Sequence, residues 1–589
     1  RRPTIEIVFE GSKEVRMPIL NSTLIIVACF LPLFFLSGME GRMLIPLGIA
    51  FIVALFASTI VALTLTPVLC SYMLASEKAL RKSEKEPIVS RSLKKIYRHS
   101  LDWALRHKKV VIGSSLALLV VSILLLFNLG RSFLPPFNEG SLTINISTMP
   151  GISLEESNKM GQMTEEILLG IPEIKTVARK TGRAELDEHA LGVNVSEIEA
   201  PFELDERSRD EFLADVRQQL GVLKGVNVEI GQPISHRIDA MLSGTKANIA
   251  IKLFGNDLNK LYSLGSEIKG TIQDVQGIAD LTLEQQVERP QLQIKPKRDM
   301  LAKYGITLPQ FSEFINVALS GQTVSQVNEN GKIFDLTVKI DDRKRGTMEE
   351  IGELTIDANG RKIPLHYVAE ILPLVGPNTI SRENVQRKIV VSANVAGRDL
   401  KGVVNDIRKT IDEQITLPEG YHVEYGGQFE SEAAASRTLF LTSMISILII
   451  FLILFHEFRS LSLSGIIMLN LPLAIIGGVI SIWFTSGVIS IPSIIGFISL
   501  FGIATRNGIL LVSHYNWLRA EGYSLRESIL QGSLDRLNPI LMTALSSALA
   551  LIPLAMGGDL PGNEIQSPMA QVILGGLLSS TLLNGFVVP

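Results

Sequence analysis

A single arginine stands inside one of the least charged stretches of this sequence. Arg506 follows 45 residues, Leu461–Thr505, without one Asp, Glu, Lys, Arg or His, and is followed by NGILLV. A charge at that depth of an apolar helix costs about 3 kcal/mol on insertion scales and is kept where it meets an acid or a water path. Facing a carboxylate in a wet channel, it would let protonation change helix packing. The plainer alternative is a pin that bonds backbone carbonyls of neighbouring helices. A second group is polar. ELDEHALGVNVSE places Glu185, Asp187, Glu188, His189 and Glu197 within thirteen residues, and HRIDAMLSGTK supplies His236, Asp239 and Met241. Carboxylate and imidazole suit divalent zinc, cobalt or nickel, whereas thioethers suit monovalent copper or silver. An acidic run is also what an ordinary solvated face looks like, and no Cys/His or HExxH spacing fixes a tetrahedral site.

These residues need elements to hold them, and the hydropathy supplies two unlike kinds. Eight stretches carry almost no charge: Met17–Met39, Met43–Ser76, Val110–Gly130, Thr438–Phe455, Leu461–Phe484, Ile491–Trp517, Leu537–Gly558 and Ser567–Pro589. About 20 apolar residues cross a bilayer as a helix, so the chain is expected to be polytopic. Membrane helices occupy 1–130 and 438–589. The loop 77–109 holds eleven Lys/Arg against four Asp/Glu and is expected in the cytoplasm. Its stretch Ser92–Trp103 has apolar residues at helical spacing and is expected along the membrane surface. Residues 131–437 then lie on the other side. The chain opens on Arg1-Arg2-Pro3 and ends on Pro589 inside an apolar run, so a fragment of a longer protein is expected.

The 307 residues between the membrane blocks repeat themselves. Met163–Val177 matches Glu267–Leu281 at an offset of 104, and Leu223–Gln232 matches Pro418–Gly427 at 195. The difference of 91 marks an insertion in the second copy. Each copy reads strand, helix, strand, strand, helix, strand, a split βαβ or ferredoxin-like βαββαβ pattern. The second strand of the first copy is expected at Glu173–Arg179. The fold class is thus a polytopic α-helical membrane protein with a large α+β insertion. Its expected divisions are 131–240 for the first repeat, 241–289 and 381–437 for the second, and 290–380 for the insertion.

Composition closes off other classes. With 589 residues, 46% hydrophobic, 20% charged and a net charge of −3, the chain is neither disordered nor a nucleic-acid binder. Two cysteines, Cys29 and Cys70, make no disulfide framework. No phosphate loop, GxSxG elbow or zinc-protease signature is present.

GIATRNGILLVSHYN (Gly502–Asn516) and RLNPILMTALSSALALIPLAM (Arg536–Met556) resemble the tenth and eleventh helices of resistance-nodulation-division (RND) efflux permeases. Ile19–Met43 and Leu63–Leu74 resemble helices five and six. The resemblance covers essentially the whole chain, and GNEIQSPMAQVILGGLLSSTLLNGFVVP with RENVQRKIVVSANVAGRDL is similar to the heavy-metal branch.

It implies a proton-driven cation antiporter, a homotrimer in the inner membrane of a Gram-negative cell. Its large domain is periplasmic, and its partners are a membrane-fusion adaptor and an outer-membrane channel; no cofactor is expected. The repeats become porter subdomains, and the insertion becomes a docking or funnel subdomain. The eight spans become helices five to twelve, which puts the family's essential acids outside this chain. Arg506, Asn507, Arg536 and Thr543 fall on relay positions, but arginine scarcely deprotonates and would act as an electrostatic latch. Glu185, Asp187, Glu188, His189, Glu197, His236, Asp239 and Met241 become the candidate metal ligands, with divalent ions favoured over copper and silver. Export of drugs or amphiphiles, and a membrane-anchored sensor or enzyme, are the competing readings.

Overall fold

The computed structural model describes residues 4–73, 87–135, 137–149, 151–182, 192–204, 207–284, 288–377, 380–558, 560 and 562–589. Among them are eight helical segments long and apolar enough to cross a membrane: Glu6–Phe35, Gly41–Met73, Lys108–Asn128, Gln428–Phe458, Leu461–Phe484, Ile491–Ala520, Leu525–Met556 and Gln566–Phe586. Each falls on one of the eight apolar runs.

Two of these helices break beside a proline, while Pro18, Pro46, Pro539 and Pro553 lie inside continuous ones. The second span is continuous over Gly38–Leu63, interrupted at Thr64, and resumes as Leu65–Met73. Pro67 lacks an N–H, and its ring collides with the carbonyl four residues back, on Leu63. The fifth span divides in the same way into Leu461–Met468 and Asn470–Phe484, with Pro472 four residues after Met468. The first ends in a tight 3-10 turn, Leu31–Phe35, that contains Pro32.

Close approach of backbones holds the bundle where hydrophobicity cannot, since lipid tails are as apolar as leucine. Gly477 of the fifth span and Gly575 of the eighth face each other. A Cβ on Gly477 would stand 2.0 Å from the Gly575 carbonyl oxygen, and one on Gly575 2.4 Å from that of Gly477. The Ser579 hydroxyl accepts from the Gly477 amide at 3.0 Å.

Between the membrane blocks stand two antiparallel sheets. The first runs, in spatial order, Ala178–Thr181, Val195–Pro201, Ser141–Thr148, Val226–Gly231, and the second Ile278–Leu283, Gln386–Val395, Ile249–Phe254, His422–Gly427. Both have the same order, with the first and last strands of each copy adjacent. Helices Leu154–Leu169 and Arg209–Leu220 belong to the first, Leu258–Ile272 and Leu400–Gln414 to the second. Period-two alternation sends Leu142, Ile144 and Ile146 into one core with Phe212, Val216 and Leu220. Each such buried side chain contributes about 1.5–3 kcal/mol.

One strand differs from expectation. The segment after Leu169 turns through Pro172-Glu173, touches the sheet only by an Ile174–Phe202 bridge, and pairs continuously only from Ala178 to Thr181. The Ile174 amide donates to the Ile171 carbonyl at 3.0 Å, closing a turn around Pro172-Glu173, and the strand starts five residues later than expected.

The insertion hangs on a two-stranded ribbon. Glu288–Pro296 pairs antiparallel with Ala369–Pro377 from end to end. Beyond it, Leu301, Phe311, Ile351, Ile356, Leu365 and Val368 form a separate small core.

The fourth span is longer than its apolar run. As one helix, Gln428–Phe458 carries ten polar-rich residues, 428–437, beyond Thr438. At 1.5 Å per residue they stand about 15 Å out of the apolar zone, and this extension meets the candidate site.

Candidate functional site

The polar residues that converge do so on the face of the first sheet opposite its core. On strand Ser141–Thr148, alternation puts Thr143 and Asn145 opposite the core face, yet both are buried. Helix Pro233–Ser243 covers them. It begins at a proline, fixed in φ and free of the N–H a first turn leaves unsatisfied. The Glu139 carboxylate accepts from the amides of Ile234 and Ser235 at 2.5 and 2.9 Å. This is a negative charge at the positive end of the helix. The helix ends at Gly244, φ +75°, a left-handed cap.

Through this helix His236 reaches Asn145, with Nδ1 3.5 Å from the amide nitrogen. His236 Nε2 is buried with no hydrogen-bond partner among the described residues. It lies so close to Gly231 that a Cβ there would overlap the ring at 1.8 Å. Burial, then the nearby Lys246 ammonium, holds this imidazole down at about 4 against the opposing pull of Glu197 and Asp280, so it is neutral.

From Asn145 a chain of charge runs outward. Lys246 Nζ donates to Asn145 Oδ1 at 3.1 Å and to Glu197 Oε2 at 2.7 Å, while Lys180 Nζ lies 2.6 Å from Glu197 Oε1. Burial opposes ionisation of Glu197, but the two lysines outweigh it and bring the carboxyl down to about 2.

Asp239 lies three residues after His236 on the same helix and meets different partners. It accepts from Gln428 Nε2 at 2.7 Å and from Asn248 Nδ2 at 3.2 Å. Gln428 is the first residue of the fourth span, so this carboxylate is tied directly to a membrane helix. Burial raises Asp239 to about 6, offset in part by the two amide bonds.

The two sheets adjoin beside this cluster. Arg217 forks onto Asp280 with two 3.1 Å bonds, Thr282 donates to Glu229 at 2.7 Å, and Asn394 donates to the Ile230 carbonyl at 3.2 Å. Burial raises the Glu229 carboxyl, against the Thr282 bond.

Of the expected metal ligands, His236 and Glu197 come together through Asn145 and Lys246, and Asp239 stands on the next helical turn. Met241 is in the same helix; Glu185, Asp187, Glu188 and His189 lie outside the described residues. No three His, Cys, Asp or Glu side chains cluster as a metal-holding group among the described residues. Asn145, Lys246 and Glu229 had no place in the expected set. The alternation of strand 141–148 puts Asn145 opposite the core-facing leucine and isoleucines, a signal available in the sequence.

In the membrane, Arg506 is half-buried, makes no ion pair among the described residues, and has a buried Nε without a partner. Asn507, the next residue, is buried with its amide nitrogen unbonded. Arg536 also has an unbonded Nε, and Thr543 donates to the Pro539 carbonyl of its own helix at 2.8 Å. His514 faces Asp535 at 3.2 Å. The family model of the AcrB/AcrD/AcrF proteins matches residues 2–589.

The chain belongs to this family of RND permeases.

It is 32% identical over 595 residues to the cobalt-zinc-cadmium resistance protein CzcA of Cupriavidus metallidurans, covering 99% of this chain and 56% of CzcA. It is 33% identical to protein HelA of Legionella pneumophila and 27% to the cation efflux system protein CusA of Escherichia coli, covering 56% and 57% of them. A crystal structure of a heavy metal efflux pump superposes with TM-score 0.83 at 28% identity, over 98% of this chain and 58% of that one. The chain therefore spans just over half the length of the relatives it matches.

Proposed function

We propose that this chain supplies the cation-binding region and eight spans of a heavy-metal efflux permease. The observation that supports this reading is the buried neutral imidazole of His236, its Nε2 without a partner among the described residues, linked through Asn145 and Lys246 to the Glu197 carboxylate, with Asp239 three residues on in the same helix. Imidazole and carboxylate match borderline divalent ions such as zinc, cobalt and nickel, and among the relatives CzcA is a cobalt-zinc-cadmium resistance protein and CusA a cation efflux system protein. Glu197 is held by its own cation, Lys246. An incoming divalent ion would displace that ammonium, and the Glu197–Lys246 pair would re-form on release. Residues 131–240, with 241–289 and 381–437, form the cleft in this reading, and 290–380 the docking piece. Arg506, with Asn507, Arg536 and Thr543, responds to protons carried by acids elsewhere in the permease. The assembly is a trimer in the inner membrane with adaptor and outer-membrane partners.

The test is uptake of zinc, cobalt and nickel into everted vesicles carrying the full permease. His236→Ala and Glu197→Gln each lower cation transport at least tenfold while dye transport stays at background. Dye export that survives both substitutions, with no cation transport in the parent, favours the amphiphile reading.

A further inference from the structure

Three asparagines lie deep among the fifth, sixth and eighth spans. Asn470, Asn507 and Asn584 are 0%, 2% and 0% exposed. Both side-chain polar atoms of Asn470 and of Asn584, and the amide nitrogen of Asn507, are buried without a hydrogen bond among the described residues. Contacts between the spans bring the three to one depth. The fifth and eighth spans run antiparallel, since Ser481 donates to the Gln571 carbonyl at 2.8 Å and Ser579 to the Leu473 carbonyl at 3.4 Å. That register sets Asn470 level with Leu582, about 3 Å along the axis from Asn584. The sixth and eighth run parallel, with Gly496 against Val572 and Leu500 against Gly576. That register sets Asn507 level with Leu583, the residue before Asn584. Gly508 brings the sixth span onto the fifth, for a Cβ there would stand 2.2 Å from the Asn470 amide nitrogen.

This polar layer is bracketed by apolar ones. Ala474, Leu500, Ala504 and Leu577 make one buried cluster, and Leu511, Tyr515 and Ile540 another. Along the sixth span Asn507 falls between them, after Ala504 and before Leu511. Asn470 and Asn584 are already wholly enclosed by this chain, so no further polypeptide reaches them without opening the bundle. A partner for them has to be small. An amide both donates and accepts. A metal cation would satisfy the two free oxygens and stand against three amide nitrogens, whereas water bonds to both kinds of atom. Buried water typically makes about three hydrogen bonds to groups of this sort. Arg506 directly precedes Asn507, and its buried Nε is likewise unbonded, so the layer adjoins a charge that is kept at such depth where water or an acid reaches it.

We propose that Asn470, Asn507 and Asn584 form an internal hydration site, a small set of ordered waters held between the fifth, sixth and eighth spans. The alternative is a dry layer of unbonded amides. The test places the full permease in nanodiscs in heavy-oxygen water and exposes it to synchrotron X-rays. Hydroxyl radicals formed from water bound inside the protein oxidise the side chains beside it, and mass spectrometry reads the incorporated label. Leu511 and Leu577, each 2% exposed, flank the layer; Leu33 and Leu439, 0% and 1% exposed, lie in another core cluster and serve as controls. The expected result is labelling of Leu511 and Leu577 at least tenfold faster than of the controls. Asn470→Leu and Asn584→Leu, close to isosteric, each bring that rate down toward the controls, whereas Asn470→Ser, which keeps a polar group, stays within about twofold of the parent. Labelling of Leu511 and Leu577 at the control rate in the parent overturns the site, a result that needs no variant to fold. Fast labelling that is undiminished in both leucine variants overturns its assignment to these amides. The readout is independent of transport, so its failure leaves the proposed function standing.

Discussion

Lys246 and Arg506 are two cations held in opposite ways, and the contrast separates the halves of the molecule. In the sheet region Lys246 has its carboxylate at 2.7 Å and an amide oxygen at 3.1 Å. The same habit recurs nearby, where Arg207 binds both Glu173 and Asp215, and Arg217 binds Asp280. In the membrane region some buried polar groups go the other way. Asn470 and Asn584 are wholly buried with neither side-chain polar atom bonded, and Arg506 has no ion pair among the described residues. Leaving a polar group unpaired in a dry environment costs about 1–3 kcal/mol and more for a charge. Arg506, Asn470 and Asn584 of the membrane region thus differ from Lys246, Arg207 and Arg217 of the sheet region, which are neutralised locally. Paired charges suit a site whose ligand must exchange. An arginine inside a membrane helix suits a helix whose packing is to respond to a nearby acid.

The largest expected effect breaks the membrane side of this contrast. If Arg506 is the proposed latch, Arg506→Ala should abolish cation transport by the full permease, a loss of at least a hundredfold in vesicle flux with the protein still assembled. Retained flux would show that Arg506 is only a helix pin.

On the sheet side the pH dependence is next. Asp239 has its carboxyl raised to about 6 and must lose its proton to bind a cation. Between pH 7 and pH 5 its ionised fraction falls about tenfold, so cation affinity measured by calorimetry should fall by about that factor. His236, held at about 4, stays neutral through this window and adds no slope. Asp239→Asn should flatten the profile.

Lys246→Met sharpens the comparison by removing the built-in cation. Glu197 keeps Lys180, so the fold should survive, and divalent affinity should rise several-fold. An unchanged affinity would mean that Glu197 takes no part in binding. The smallest effect calibrates the sheet region alone. Ser208 and Glu211 form a reciprocal cap on helix Arg209–Leu220, and Ser208→Ala should lower stability by about 1 kcal/mol in denaturant titration.

Much of the architecture was written locally. Twenty-residue apolar runs determine that eight helices can cross a membrane, because every backbone polar group there must be bonded within its own segment. Period two in VNVEIG and the 104- and 195-residue offsets determine two copies of one strand order. Pro67 and Pro472 accompany two breaks, but Pro18, Pro46, Pro539 and Pro553 lie inside continuous helices, so proline alone does not fix where a span breaks.

The site was legible only in part. His236, Asp239 and Glu197 could be named as ligand types, but their partners lie far away in sequence. Glu197 meets Lys246 across 49 residues, and Asp239 meets Gln428 across 189. Composition cannot say which carboxylate is neutralised and which is protonated, because both depend on burial and on charges from other elements. The sequence alone determined the elements and the donor chemistry. Tertiary structure alone decided that Glu197 is held by lysines, that His236 Nε2 is free, and that Asp239 bonds the start of a membrane helix. Those are facts of distance between segments that only packing brings together.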